Sequence, residues 1–165
     1  MINNYNKKIE IFPIALSDKI GICKIFGKDS GASLLEGWGG QFSNELVYQS
    51  TLDHILKKRF NNREKILFLI DVEGAEKKIL YQANSFINFS PKPIWIIEIT
   101  KNKWPGGKNN PNFIETFRIF LEKKYYAYSI EHKILIKEFN KKFLNSLPGS
   151  NYIFFDKNIQ INFYK

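Results

Sequence analysis

The chain has 165 residues, of which 44% are hydrophobic and 16% aromatic, which suits one globular domain over residues 1–165 and excludes a disordered tail. Lys plus Arg number 25 against 16 Asp plus Glu, a net charge of +9, so a polyanionic partner has to be weighed. Cys23 is the single cysteine, which excludes an intramolecular disulfide and a Cys-pair zinc site.

The positive charge is scattered. The doublets Lys57-Lys58, Lys77-Lys78, Lys123-Lys124 and Lys141-Lys142 alternate with apolar residues, the pattern of solvated helix faces, so nucleic acid is disfavoured as a partner. Met1 to Glu10 is too polar for a secretory leader, and no stretch has the apolar length of a membrane span. A cytoplasmic protein without a metal or membrane partner is expected.

In chain order, Ile9 to Leu16 is an apolar run ended by Ser17, Asp18 and Gly21, and Ile22 to Phe26 returns as its hairpin partner. Asp29 to Asn44 is a long loop with Gly31, Gly37, Gly39 and Gly40, a length that points to function or poor order. Glu45 to Ser50 reads as a short strand. Thr51 follows as an N-cap for a helix with Leu52, Ile55, Leu56 and Phe60 on one face.

Lys65 to Val72 is apolar without alternation, which predicts a strand buried on both faces. Glu73 and Gly74 open a helix with Ala75, Ile79, Leu80, Ala83, Phe86 and Ile87 at helical spacing. Ile94 to Ile99 repeats the buried-strand pattern. After the loop Lys101 to Pro111 comes a helix with Phe113, Phe117, Phe120 and Leu121 on one side. Tyr126 to Ile130, Ile134 to Phe139 and Tyr152 to Phe155 read as strands, with a short helical turn at Phe143 to Leu147. This alternation predicts an open α/β sheet with parallel crossovers and a late antiparallel strand. Ligands of such sheets bind beyond the carboxyl ends of the strands, which puts Asp71, Glu73, Glu98 and the corner Ala15 to Asp18 on one rim.

An acid such as Asp71 or Glu73, between a buried strand and a helix, can bind a ligand ammonium or hydroxyl, hold a cation, act as a general base, or simply cap the helix. Glu98 interrupts an apolar strand, and a buried carboxylate is costly unless paired or used. Gly21 to Lys28 has five residues between its glycines and Asp29 in place of the hydroxyl that a phosphate loop requires, which excludes a nucleoside triphosphatase. Gly37-Trp38-Gly39-Gly40 reads as a flexible loop, His54 and His132 as surface residues, and Cys23 as core.

The series IEIFPIALSD (Ile9 to Asp18), Gly31-Ala32-Ser33, Ser50-Thr51-Leu52-Asp53, FLIDVEGAEKKIL (Phe68 to Leu80) and PIWIIEI (Pro93 to Ile99) closely resembles the FkbM family of S-adenosylmethionine-dependent methyltransferases. The resemblance implies a Rossmann-like class I methyltransferase sheet and methyl transfer to a hydroxyl, on a saccharide or other small acceptor. It places Asp71 beside the methyl-transfer centre, Ala15, Leu16 and Ser17 at the adenine end of the cofactor pocket, and Glu73 and Glu98 on the acceptor side, with the loop Asp29 to Asn44 as an acceptor-binding flap.

The family's glycine-containing turn after the first strand, and its ribose-binding acid after the second, have no counterpart here. Met1 stands just before what would be the third strand. An N-terminally truncated domain lacking its first two strands is therefore expected, with little or no activity alone. Either the strands Ile9 to Leu16 and Lys65 to Val72 close up against each other, or a bare edge is left that invites self-association. A non-catalytic chain that associates through that edge is the alternative function.

Overall fold

The computed structural model describes residues 9–40 and 42–159. Its strands form two sheets. In the smaller, β1 (Ala15–Leu16) lies parallel to β3 (Asn44–Ser50), and β2 (Gly21–Phe26) lies antiparallel on the other side of β3. The expected strand from Ile9 is thus reduced to two residues. Pro13 has no amide hydrogen to give a ladder, and strand structure begins only at Ala15. The expected hairpin between this strand and the next is also corrected. All six residues of β2 pair with β3, from Gly21 opposite Gln49 to Phe26 opposite Asn44, whereas the two-residue β1 offers no such length.

The larger sheet contains β4 (Leu67–Ile70), β5 (Ile94–Ile99), β6 (Tyr125–Ser129), β7 (Ile134–Ile136) and β8 (Ser150–Asp156), in the order β4-β5-β8-β6-β7. Strands β4 and β5 pair in parallel, and β8 inserts antiparallel between β5 and β6. The fold is α/β with mixed sheets. The late antiparallel strand is present, but β4 with β5 is the one directly parallel pair in this sheet among the described residues.

Helices α1 (Leu52–Leu56), α2 (Glu76–Tyr81), α3 (Asn84–Ile87), α4 (Phe113–Leu121) and α5 (Lys141–Ser146) all send buried side chains into one cluster with Trp95, Ile97, Ile99, Tyr152 and Phe154. Its centre is aromatic: Phe68 stacks on Trp95 at 4.2 Å, Trp95 meets Phe120 edge-on at 5.5 Å, and Phe120 stacks on Phe154 at 4.2 Å. Each such ring contributes roughly 1.5–3 kcal/mol by leaving water. Thr51 caps α1 as expected, accepting the His54 amide at 3.1 Å, although α1 stops well before Phe60.

The helix expected from Glu73 to Ile87 is broken into α2 and α3. The backbone leaves helical angles at Gln82 and Ala83, and α1 satisfies the freed groups: the Asp53 amide donates to the Gln82 carbonyl at 3.3 Å, and the Ser85 amide donates to Asp53 Oδ2 at 2.9 Å. Ala75, Ile79, Leu80, Ala83, Phe86 and Ile87 are nevertheless all buried, so the apolar face survives the break.

Strand β4 is not buried on both faces. Phe68 and Ile70 turn towards the helices, while Leu67 and Leu69 are 61% and 73% exposed. Nor do the strands at Ile9 to Leu16 and Lys65 to Val72 close up: β1 and β4 stand in different sheets, and β4 pairs only with β5 among the described residues.

Candidate functional site

Three segments meet beyond the carboxyl ends of β4 and β5: the turn 71–76, the loop 29–44 and the loop 100–110. The turn is held by its own backbone. Glu73 adopts φ 53 and Gly74 φ 93, left-handed conformations that lift the chain off β4 before α2 begins. A Cβ on Gly74 would stand 2.8 Å from Leu35 Cδ1 and from Trp38 Cε3, so glycine is required by space as well as by angle.

The loop closes over this turn. Ser33, buried and bridged through its backbone to Phe26, donates its hydroxyl to the Glu73 carbonyl at 2.7 Å and accepts the Leu35 amide at 3.0 Å. Trp38 donates its indole N–H to Glu73 Oε2 at 2.7 Å and meets Trp104 edge-on at 6.3 Å. At 4% exposure, Trp38 belongs to the interior, which corrects the reading of Gly37 to Gly40 as a merely flexible loop.

Asp71, Glu73 and Glu98 come together as expected from their strand-end positions. Burial pushes the Glu98 carboxyl up from its ordinary pKa, the negative charges of Asp71 and Glu73 push it further, and Lys103 opposes them. A hydrogen bond with Asp71 also favours the protonated Glu98.

Glu76, in the first turn of α2, is a fourth acid. It is 3% exposed and accepts the Gly74 amide at 2.8 Å. Its pKa is raised to about 7, first by burial and then by the charges of Glu98 and Glu73, against the lowering pull of the Gly74 hydrogen bond. This group can hold or release a proton near neutrality. Among the described residues no cluster of three His, Cys, Asp or Glu is placed to hold a metal ion.

Ala15 and Leu16 lie in the smaller sheet and so do not share a sheet with the acids. Leu16 lines an apolar cleft of about 250 Å³ with Phe12, Ile14, Leu52, Ile55 and Leu56. Ser17 is buried, donates its amide to the Ser50 carbonyl at 2.8 Å and its hydroxyl to Asp18 Oδ1 at 3.1 Å, and borders a second, polar cleft with Cys23, Gln49 and Lys78. Cys23 is half-buried rather than core. No helix among the described residues is long and apolar enough to cross a membrane.

The site residues missed by sequence reasoning are Ser33, Trp38, Glu76 and Trp104. Glu76 and Ser33 carried a signal, their places in the DVEGAE run and in Gly31-Ala32-Ser33; Trp38 and Trp104 carried none. Comparison with curated proteins and with solved structures gives no match. The family model for the methyltransferase FkbM domain matches residues 1–130, which include the acidic turn, the loop that covers it and β5, and the chain therefore belongs to the FkbM methyltransferase family.

Proposed function

We infer that the chain is an S-adenosylmethionine-dependent O-methyltransferase domain acting on a hydroxyl of a saccharide or similar small acceptor, with slow turnover when isolated. The observation that carries this reading is the convergence of Asp71, Glu73 and Glu98 beyond β4 and β5, where Glu98 has a raised proton affinity. The residues present suit the cofactor. An acidic rim complements a sulfonium cation and its ammonium group, and the apolar cleft beside Leu16 suits a flat heteroaromatic base. Asp71 would hold the cationic end and Leu16 would border the base, while Ser17 lines the separate polar cleft and Ala15 lines neither cleft. Bound there, the cofactor supplies an electrophilic methyl group.

The chain's own part is to orient and deprotonate the acceptor. Glu98 accepts the hydroxyl proton, and its burial together with the neighbouring Asp71 charge raises its affinity for that proton. Glu73 is engaged by Trp38, so it fixes the loop against the turn rather than moving a proton.

The test is mass-spectrometric detection of methyl transfer to a panel of mono- and oligosaccharides. Glu98→Gln and Asp71→Asn are each expected to lower the rate by about 10²–10⁴-fold, the usual contribution of a general base. A rate that neither substitution changes contradicts this assignment. A second reading, a chain that works by association, is favoured by the exposure of Leu67 and Leu69 on a strand that, among the described residues, is paired on one side only.

A further inference from the structure

The edge of β4 that has no strand partner among the described residues has a self-complementary sequence. Residues 65–71 read Lys-Ile-Leu-Phe-Leu-Ile-Asp, an apolar palindrome centred on Phe68 with a cation at one end and an anion at the other. The backbone fits the same symmetry. The Ile94 amide donates to the Ile66 carbonyl at 3.0 Å, so the even-numbered residues of this parallel pair direct their backbone groups to β5. Leu67 and Leu69 therefore direct theirs to the open edge, and Lys65 and Asp71, just outside β4, fall on the same odd-numbered alternation in sequence.

We propose that two copies of the chain pair β4 against β4 antiparallel about Phe68, joining their five-stranded sheets into one. Only registers that set odd residues opposite odd residues satisfy the free backbone groups. Of these, the one centred on Phe68 sets Leu67 opposite Leu69 twice and Lys65 opposite Asp71 twice. A shift by two residues puts Leu67 or Leu69 opposite itself and breaks both charge pairs. The four leucines meet on the sheet face away from the helices, where Leu67 and Leu69 are exposed in the single chain. The two cross-strand ion pairs fix register and direction, since like charges opposite each other are unfavourable. Parallel pairing would set Lys65 beside Lys65 and Asp71 beside Asp71, which excludes it on charge. The pairing engages Asp71, which the methyltransferase reading places at the cofactor, so it is read from association state and not from activity.

Sedimentation equilibrium of the purified chain over about 10–500 µM tests the pairing, in the range where small interfaces dissociate. A reversible dimer is expected. Lys65→Asp is expected to weaken it at least about tenfold by replacing two attractions with two repulsions. Adding Asp71→Lys to Lys65→Asp restores both pairs in reversed order and is expected to recover the dimer. Leu69→Lys, at a position already exposed to solvent, is expected to give a folded monomer by circular dichroism. A wild-type chain that is folded and monomeric throughout overturns the proposal. So does a dimer that none of these substitutions alters.

Discussion

The indole N–H of Trp38 lies 2.7 Å from Oε2 of Glu73 and joins two segments 35 residues apart into one wall of the candidate site. The bond does two things. It anchors the loop over the acidic turn, and it spends one Glu73 oxygen on structure, so the proton chemistry falls to the neighbours. Trp38→Phe keeps the packing and removes the donor, and is expected to destabilise the fold by about 1–3 kcal/mol in urea unfolding. Trp38→Ala also opens a cavity, with an expected loss of about 3–5 kcal/mol. A Trp38→Phe protein as stable as the parent would show that the bond holds nothing in place.

Gly74 is the other half of that closure. Gly74→Ala forces a side chain into φ 93 and against Leu35 and Trp38. Strain of that kind costs about 1–3 kcal/mol before any clash is counted. The exposed Gly21, also at positive φ but with open space around it, serves as the control. Gly21→Ala is expected to unfold at higher urea than Gly74→Ala, and the reverse order would contradict the packing described.

Glu76 makes stability depend on pH in a direction set by its raised pKa. Below about 4.5 the carboxyl is protonated in both the folded and the unfolded chain. Between 4.5 and about 7 the unfolded chain releases the proton that the fold keeps, so stability falls as pH rises, and the loss is complete above about 7. Glu98, shifted in the same direction, adds to the same slope. The Glu76 contribution is about 3 kcal/mol. Glu76→Gln retains an acceptor for the Gly74 amide and never charges, so its unfolding midpoint is expected to vary less between pH 4.5 and 8 than that of the parent. Equal slopes for the two proteins would mean that Glu76 does not titrate in this window.

Much of this is legible in the chain and some is not, for identifiable reasons. Helical spacing picks out Ile79, Leu80, Phe86, Ile87, Phe117 and Phe120, and all are buried, because burial follows from which side of a helix a residue occupies. The strand ends that carry Asp71 and Glu98 follow from apolar runs. Strand partners do not: nothing local in Ile9 to Leu16 says that it will pair with Asn44–Ser50 in a separate sheet. The run Ile66 to Ile70 is continuous in hydrophobicity but packs on one face only, since a run alone cannot say whether helices lie on both sides of a sheet. Trp38 escapes because its partner is distant in sequence, and because glycines on both sides mimic a loop with no anchor.

Calorimetric titration of S-adenosylmethionine into the folded chain decides whether the acidic rim holds the cofactor, with Asp71→Asn as the partner experiment. Weak binding is expected, with a dissociation constant of about 0.1–1 mM, together with its loss in Asp71→Asn. The absence of heat at millimolar cofactor, or the same binding in Asp71→Asn as in the parent, would contradict the assignment of the acidic rim to the cofactor.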